Sequence, residues 1–80
     1  MNNREENPIG RAIRRRRQTL KITQSVLADI SGVARHTISD LESGNGNPTL
    51  EVLRNLSVPL GLRLVLEIAE PSTNGREARP

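Results

Sequence analysis

Two short stretches with helical spacing lie between Thr23 and Ser43, and only Ser31, Gly32 and Val33 separate them. A connection of that length leaves room for a turn and nothing more, so the two helices must pack against a common core. Thr23 is a good N-cap for the first helix, which runs to about Ile30 with Val26, Leu27 and Ile30 facing inward. The second helix runs from about Ala34 to Ser43 and divides into two faces. Ala34, Ile38 and Leu41, at i, i+4 and i+7, form the buried one; Arg35, His36, Ser39, Asp40 and Ser43 form the other. This outer face holds no apolar side chain, and each of its residues can hydrogen-bond. A helix laid in the major groove of duplex DNA needs such a face, although a plain solvated helix surface has the same composition.

The flanking segments supply two more helices. Pro8 suits the first turn of a helix running to about Thr19, with Ile9, Ala12, Ile13 and Leu20 as its apolar points, after a polar N-terminal tail over residues 1–7. Gly44 ends the helix that precedes it, and Gly44 to Asn47 is too rich in Gly and Asn for anything but loop. Pro48 opens a fourth helix to about Val58 on Leu50, Leu53 and Leu56, closed by Pro59 and Gly61. From Leu62 the period changes to two. Leu62, Leu64, Leu66 and Ile68 fall on one face, and Arg63, Val65 and Glu67 on the other, which is the pattern of a strand. No earlier segment offers that strand a partner, so residues 62–70 are expected to pair with the same segment of a second subunit. Residues 71–80 read as a disordered tail. The expected fold is all-α: a compact four-helix domain over residues 8–61, with a C-terminal β-strand that pairs across a homodimer.

Composition also calls for the second subunit. Of the 80 residues, 34% are hydrophobic and none is Phe, Tyr or Trp, so one chain can build only a small core of Leu, Ile, Val and Ala. No cysteine is present to form a disulfide, and a single His argues against a structural zinc site; neither metal nor cofactor is expected. No apolar run approaches the roughly 20 residues that span a bilayer, and Met1 to Asn7 lacks the apolar segment of a signal peptide. The expected location is the cytoplasm, in association with the nucleoid and not with a membrane. Catalysis lacks its groups: there is no Gly-rich phosphate loop, no carboxylate cluster with recognisable spacing, and one His on a polar helix face.

Charge distribution indicates a partner. Arg11, Arg14, Arg15, Arg16, Arg17, Lys21 and Arg35 lie between Pro8 and Leu41 against only Asp29 and Asp40, although the whole chain carries just +3. Such local positive charge suits a polyanion, as it also suits an ordinary solvated helix face. Single strands and RNA loops are usually gripped by stacking bases on aromatic rings. With no aromatic residue, duplex DNA is the favoured nucleic acid.

The stretch GRAIRRRRQTLKITQSVLADISGVARHTISDLESGNGNPTLEVLRNL resembles the DNA-binding domain of phage repressors, Cro proteins and the wider XRE-type helix-turn-helix family, over about residues 9–62. Between Gln24 and Ser43, the residues Ala28, Gly32, Ile38 and Leu41 stand at the family's marked positions. Ala28 lets the two helices approach, Gly32 permits a left-handed turn, and Ile38 and Leu41 lock the later helix onto the core. The resemblance implies that Gln24, at a helix N-terminus, contacts a DNA phosphate, with Thr23, Thr37, Asn45 and Asn47 as weaker phosphate candidates and Arg14 and Arg15 as the helix-one arginines best placed for phosphate. It places Arg35 and His36 at base edges, with Ser39 and Asp40 one turn on and Ala34 able to touch a thymine methyl. Asp40 is repelled by phosphate unless it accepts from a cytosine amine, and pairing with His36 at i+4 is the favoured role for it. Arg17 and Glu42 match an Arg and a Glu that form an internal salt bridge in this family. Arg11 and Arg16 are read as solvated.

LGLRLVLEIAE, directly after the fourth helix, resembles the end of HipB-type antitoxins, whose strands pair across a dimer. This implies a homodimeric repressor on an inverted-repeat operator of its own operon, with a HipA-type kinase toxin as partner. Pro59 departs from the Ala-like residue usual there, which bears on the final turn of that helix. Two other functions fit the same residues: a phage-type or restriction-modification-type repressor without a toxin, and a toxin-neutralising interaction module with secondary DNA binding.

Overall fold

The computed structural model describes residues 8–69, so the tails expected over residues 1–7 and 71–80 lie outside the described residues. Four helices follow in order: α1 (Pro8–Thr19), α2 (Gln24–Ser31), α3 (Arg35–Glu42) and α4 (Leu50–Leu60). α1 and α2 each pack on both α3 and α4. One core results, built from Ile13, Leu27, Val33, Ile38, Leu41, Leu53, Leu56 and Leu60, with Ile22, Ala28, Val52 and Leu62 packed against it. Leu27, Ile38, Leu56 and Leu60 are completely buried, each contributing about 1.5–3 kcal/mol of transfer free energy.

α1 reaches the core through Ile13 and Gly10. A Cβ at Gly10 would collide with the Leu41 carbonyl, so glycine is what allows α1 to lie against the backbone of α3. Alanine there would gain about 1 kcal/mol of helix propensity and lose about 2–3 kcal/mol, the upper part of the overpacking range, against a backbone atom that cannot swing away. Gly10→Ala is therefore expected to lower the unfolding free energy by about 1–2 kcal/mol in a urea titration; an equal or higher midpoint would refute the close approach.

Thr23 caps α2, its Oγ1 accepting from the Val26 backbone N–H at 3.0 Å. Gly32 ends the helix at φ 76°, in the left-handed region, with its N–H donated to the Ala28 carbonyl at 2.9 Å. Only Leu27 of the three inward candidates on α2 is buried: Val26 and Ile30 are 41% and 57% exposed. The helix stops one residue after Ile30, and Val33, assigned by spacing to the turn, enters the core in its place. α3 is likewise shorter than its apolar spacing suggested. Ala34 is its N-cap at φ −59° and ψ 141°, and this non-helical backbone takes its methyl off the Ile38–Leu41 face and leaves it exposed.

α4 begins at Leu50 and not at Pro48, because Thr49 provides the cap, with its Oγ1 accepting from the Val52 N–H at 3.1 Å. Leu53, Leu56, Ser57 and Leu60 form its buried stripe. The Ser57 hydroxyl is satisfied by donating to the Leu53 carbonyl at 2.7 Å. Pro59 does not close the helix but lies inside its last turn. Gly61, at φ 73°, and Leu62 bond back to the Val58 and Ser57 carbonyls, and Arg16 Nε donates to the Leu60 carbonyl at 2.7 Å. Arg16 is thus tied to the C-terminus of α4, contrary to its reading as solvated. Leu50 and Ile9, counted as core from their spacing, are 77% and 44% exposed.

No strand is present among the described residues. The strand expected at Leu62, Leu64, Leu66 and Ile68 is not formed in the single chain, where no other segment offers it a ladder. Only Leu62 of the four packs against the core.

Candidate nucleic-acid interface

The outward face of α3 is built by the turn at Gly32, which presents the start of α3 beside the N-terminus of α2. Arg35, His36 and Asp40 on this face are exposed, with Ser39 and Thr37 half-buried along its edges. Two depressions flank it. One, of about 420 Å³, is lined by Arg35 together with Gln18, Lys21, Thr23, Gln24 and Ser25. The other, of about 210 Å³, joins His36, Thr37 and Asp40 to Asn45 and Asn47 of the following loop. The structure therefore brings Arg35 to Gln24 and Thr23 on one side, and His36 and Asp40 to the loop asparagines on the other. Ala34, exposed, stands at the head of the helix between them. Arg14 and Arg15 line neither depression; Arg15 borders a separate one with Pro8, Arg11 and Ala12.

A buried ionic cluster fixes the angle between these elements. Arg17 Nε and Nη2 donate to the two carboxylate oxygens of Glu42 at 2.7 and 2.8 Å, and Arg17 Nη1 donates to the Ile22 carbonyl at 2.9 Å. Gln24 Nε2 adds a bond to Glu42 Oε1 at 3.1 Å. The side chains of Arg17 and Glu42 are only 12% and 4% exposed. Burial pushes the Glu42 carboxyl upward, but the hydrogen bonds from Arg17 and Gln24 and the charges of Arg17 and Arg14 outweigh it and hold the group below the usual carboxylate range. Arg17 is held above its ordinary value, chiefly by the same hydrogen bond. Glu42 is therefore ionised and can only accept, so the Gln24 amide must turn its nitrogen inward. One of its two N–H groups remains available outside.

The ion pair favoured between His36 and Asp40 is not formed; no hydrogen bond or salt bridge joins them. Instead the Asp40 carbonyl accepts from the Asn45 N–H at 2.8 Å, which fastens the loop to α3 and leaves both side chains outward. Lys21 is the lining residue that spacing missed. Among the described residues it is the non-glycine residue with positive φ, at 61°, and this left-handed step between α1 and α2 carries its side chain to the Gln24–Arg35 depression. A lysine at a helix end gives no sequence signal for such a conformation.

Residues 13–66, more than half of the chain, match the family model described as Helix-turn-helix. The chain belongs to the helix-turn-helix family, in its XRE-type form. It is also similar to an uncharacterized HTH-type transcriptional regulator of Haemophilus influenzae, 46% identical over 48 residues that make up 60% of this chain and 49% of that protein. The chain thus spans about half the length of that relative. No solved structure matches it. Within the helix-turn-helix, α2 and α3 are the two paired helices and Gly32 is the turn. α3 displays the side chains of the outer face, while the Arg17–Glu42–Gln24 cluster ties both helices to α1. No helix among the described residues is long and apolar enough to cross a membrane.

Proposed function

We propose that this helix-turn-helix chain is a sequence-specific, duplex-DNA-binding transcriptional repressor that acts as a homodimer on an inverted-repeat operator. The observation that carries this is the outer face of α3, a helix surface without an apolar side chain, set between two depressions that join it to Gln24 and Thr23 on one side and to Asn45 and Asn47 on the other. In this role α3 enters the major groove, with Arg35 and His36 against base edges, Ser39 and Asp40 one turn further and Ala34 against a thymine methyl. Gln24 and Thr23 at the start of α2 take a phosphate on one side, Thr37, Asn45 and Asn47 on the other, with Arg14 and Arg15 as outlying phosphate contacts. Exposed Lys21 beside Gln24 adds a cation to the same strand. The homodimer is supported by apolar side chains that one chain leaves uncovered, Leu50, Leu64, Leu66 and Ile68 among them. The finer HipB-type role, an antitoxin with a HipA-type kinase as partner, is supported by the resemblance of residues 60–70; a HipA-type reading frame beside this gene whose product co-purifies with the protein would establish it.

Selection of bound sequences from a random duplex library tests the proposal. The enriched sites should be inverted repeats with half-sites about one helical turn apart or somewhat more. Enrichment of a single unrepeated site would count against the dimer, and no enrichment over input would overturn sequence-specific binding.

A further inference from the structure

Five of the apolar side chains that the single chain leaves exposed, Ile9, Leu50, Leu64, Val65 and Leu66, gather on one side of α4. Ile9, Leu50, Leu53 and the Leu64–Leu66 segment line a groove of about 810 Å³ there, rimmed by Glu51 and Arg54. Exposure rises along the chain as it leaves this groove. Leu62 packs against the core, Leu64 is 43% exposed, and Leu66 and Ile68 stand almost fully in solvent. From Arg63 to Ala69 the backbone makes no hydrogen bond within the described residues, so its donors and acceptors are open to a ladder.

The segment is self-complementary about Val65. Read backwards from Ile68 to Leu62, it sets an apolar residue against each apolar residue and an acid against the base. We propose that two copies of this chain pair residues 62–68 antiparallel about a two-fold axis through Val65, so that Arg63 faces the partner's Glu67, Leu64 the partner's Leu66, and Leu62 the partner's Ile68. This rests on the homodimer reading above and adds its register and the surface it covers.

Competing alignments fail on charge or on face. Parallel in-register pairing sets Arg63 against Arg63 and Glu67 against Glu67, like charges directly opposite. Moving the antiparallel axis to Leu64 or Leu66 leaves Arg63 opposite Val65 or Ala69. A slip of one residue sends the leucines onto the charged face. The axis at Val65 also matches the gradient of burial: it lays the exposed Leu66 and Ile68 of each chain over the half-covered Leu64 and Leu62 of the other. That is the stretch bordered by Ile9, Leu50 and Leu53. On the opposite face Val65 lies between two Arg–Glu pairs in contact with water. The occupant of the groove is thus a second copy.

Charge reversal in the full chain tests the register. Arg63→Glu and Glu67→Arg are each expected to weaken the dimer about tenfold in sedimentation equilibrium, since each turns two attractive cross-strand pairs into repulsive ones. The combined R63E/E67R variant should return to within about threefold of the natural protein. Singles without effect, or a double no better than the singles, would overturn the pairing. Cross-linking gives an independent reading, because the chain has no cysteine of its own. Val65→Cys should oxidise to a covalent dimer. Arg63→Cys should not do so alone, its two copies lying about 13 Å apart, but should link to Glu67→Cys when the two are mixed. Self-linking at all three positions would show a parallel pair and sink the proposal. A natural protein that stays monomeric at every concentration would instead remove the homodimer itself.

Discussion

Arg17→Ala is expected to lower the unfolding free energy by about 3–5 kcal/mol, because it strands an ionised Glu42 whose side chain is 4% exposed. In a domain of this size that corresponds to a fall in Tm of about 15 °C or more. Glu42→Ala should cost less. The Arg17 guanidinium keeps the Ile22 carbonyl, is already 12% exposed, and can extend into water along its aliphatic stem, an escape closed to the short carboxylate. Acid gives a second signature. In the natural protein Glu42 is held below the usual carboxylate range, so its contribution to stability is complete above that range and is lost as pH falls through the depressed value. Without Arg17, two of the four influences that lower the group are lost while burial still opposes them, so its depression shrinks. Protonation then costs the variant less than it costs the natural protein, and the gap between the two should narrow as pH falls through the carboxylate range. A variant that melts with the natural protein at neutral pH, or a gap indifferent to acid, would show that the cluster does not hold the helices together.

The residues of that cluster illustrate where sequence is silent. Positions 17 and 42 are 25 residues apart, and no periodicity links them; a family resemblance singles them out as a pair, and nothing in the spacing adds Gln24 as the third member. Periodicity works within an element, so it located Ile13, Leu27, Ile38, Leu41, Leu53 and Leu56 as core, and turn chemistry located Thr23 and Gly32. It does poorly at the ends of short helices. Val26, Ile30 and Ala34 obey helical spacing and are nonetheless exposed, since an eight-residue helix has too few turns to bury a whole stripe, and Leu50 is exposed because it is the first residue of α4, at the end of its stripe. Gly10 and Lys21 show the converse: a close backbone approach and a left-handed step are set by tertiary packing and leave no local pattern. The segment from Leu62 onward has its strand pattern in full, yet a ladder requires a second chain, which one sequence cannot supply. As for the interface, the outer face of α3 was legible because polarity and period coincide there. The separation of its members into two depressions was not, as it depends on where the Gly44–Asn47 loop and the α1–α2 turn come to rest.

That separation leads to a sharp difference between two substitutions. Arg35→Ala should weaken binding to a selected operator by about 1–3 kcal/mol, roughly 5- to 150-fold, and relax preference at one base pair, because a guanidinium reads guanine through two hydrogen bonds that alanine cannot replace. Gln24→Ala should weaken every duplex alike, since a phosphate is the same beside any base. The two also differ in salt. Gln24 is neutral, so its phosphate bond releases no counterion, and the slope of log affinity against log salt should be unchanged in that variant even though all affinities fall. Glu42 sharpens the comparison further. By accepting one N–H of Gln24 it leaves the amide a single donor for phosphate, so introducing a carboxyl at position 24 with Gln24→Glu should be worse than alanine, facing a phosphate outside and a carboxylate within. Titrations of the three variants against operator and random duplex at two salt concentrations read all of these effects. Equal, sequence-blind losses from Arg35→Ala and Gln24→Ala would mean that α3 grips the backbone and reads no bases.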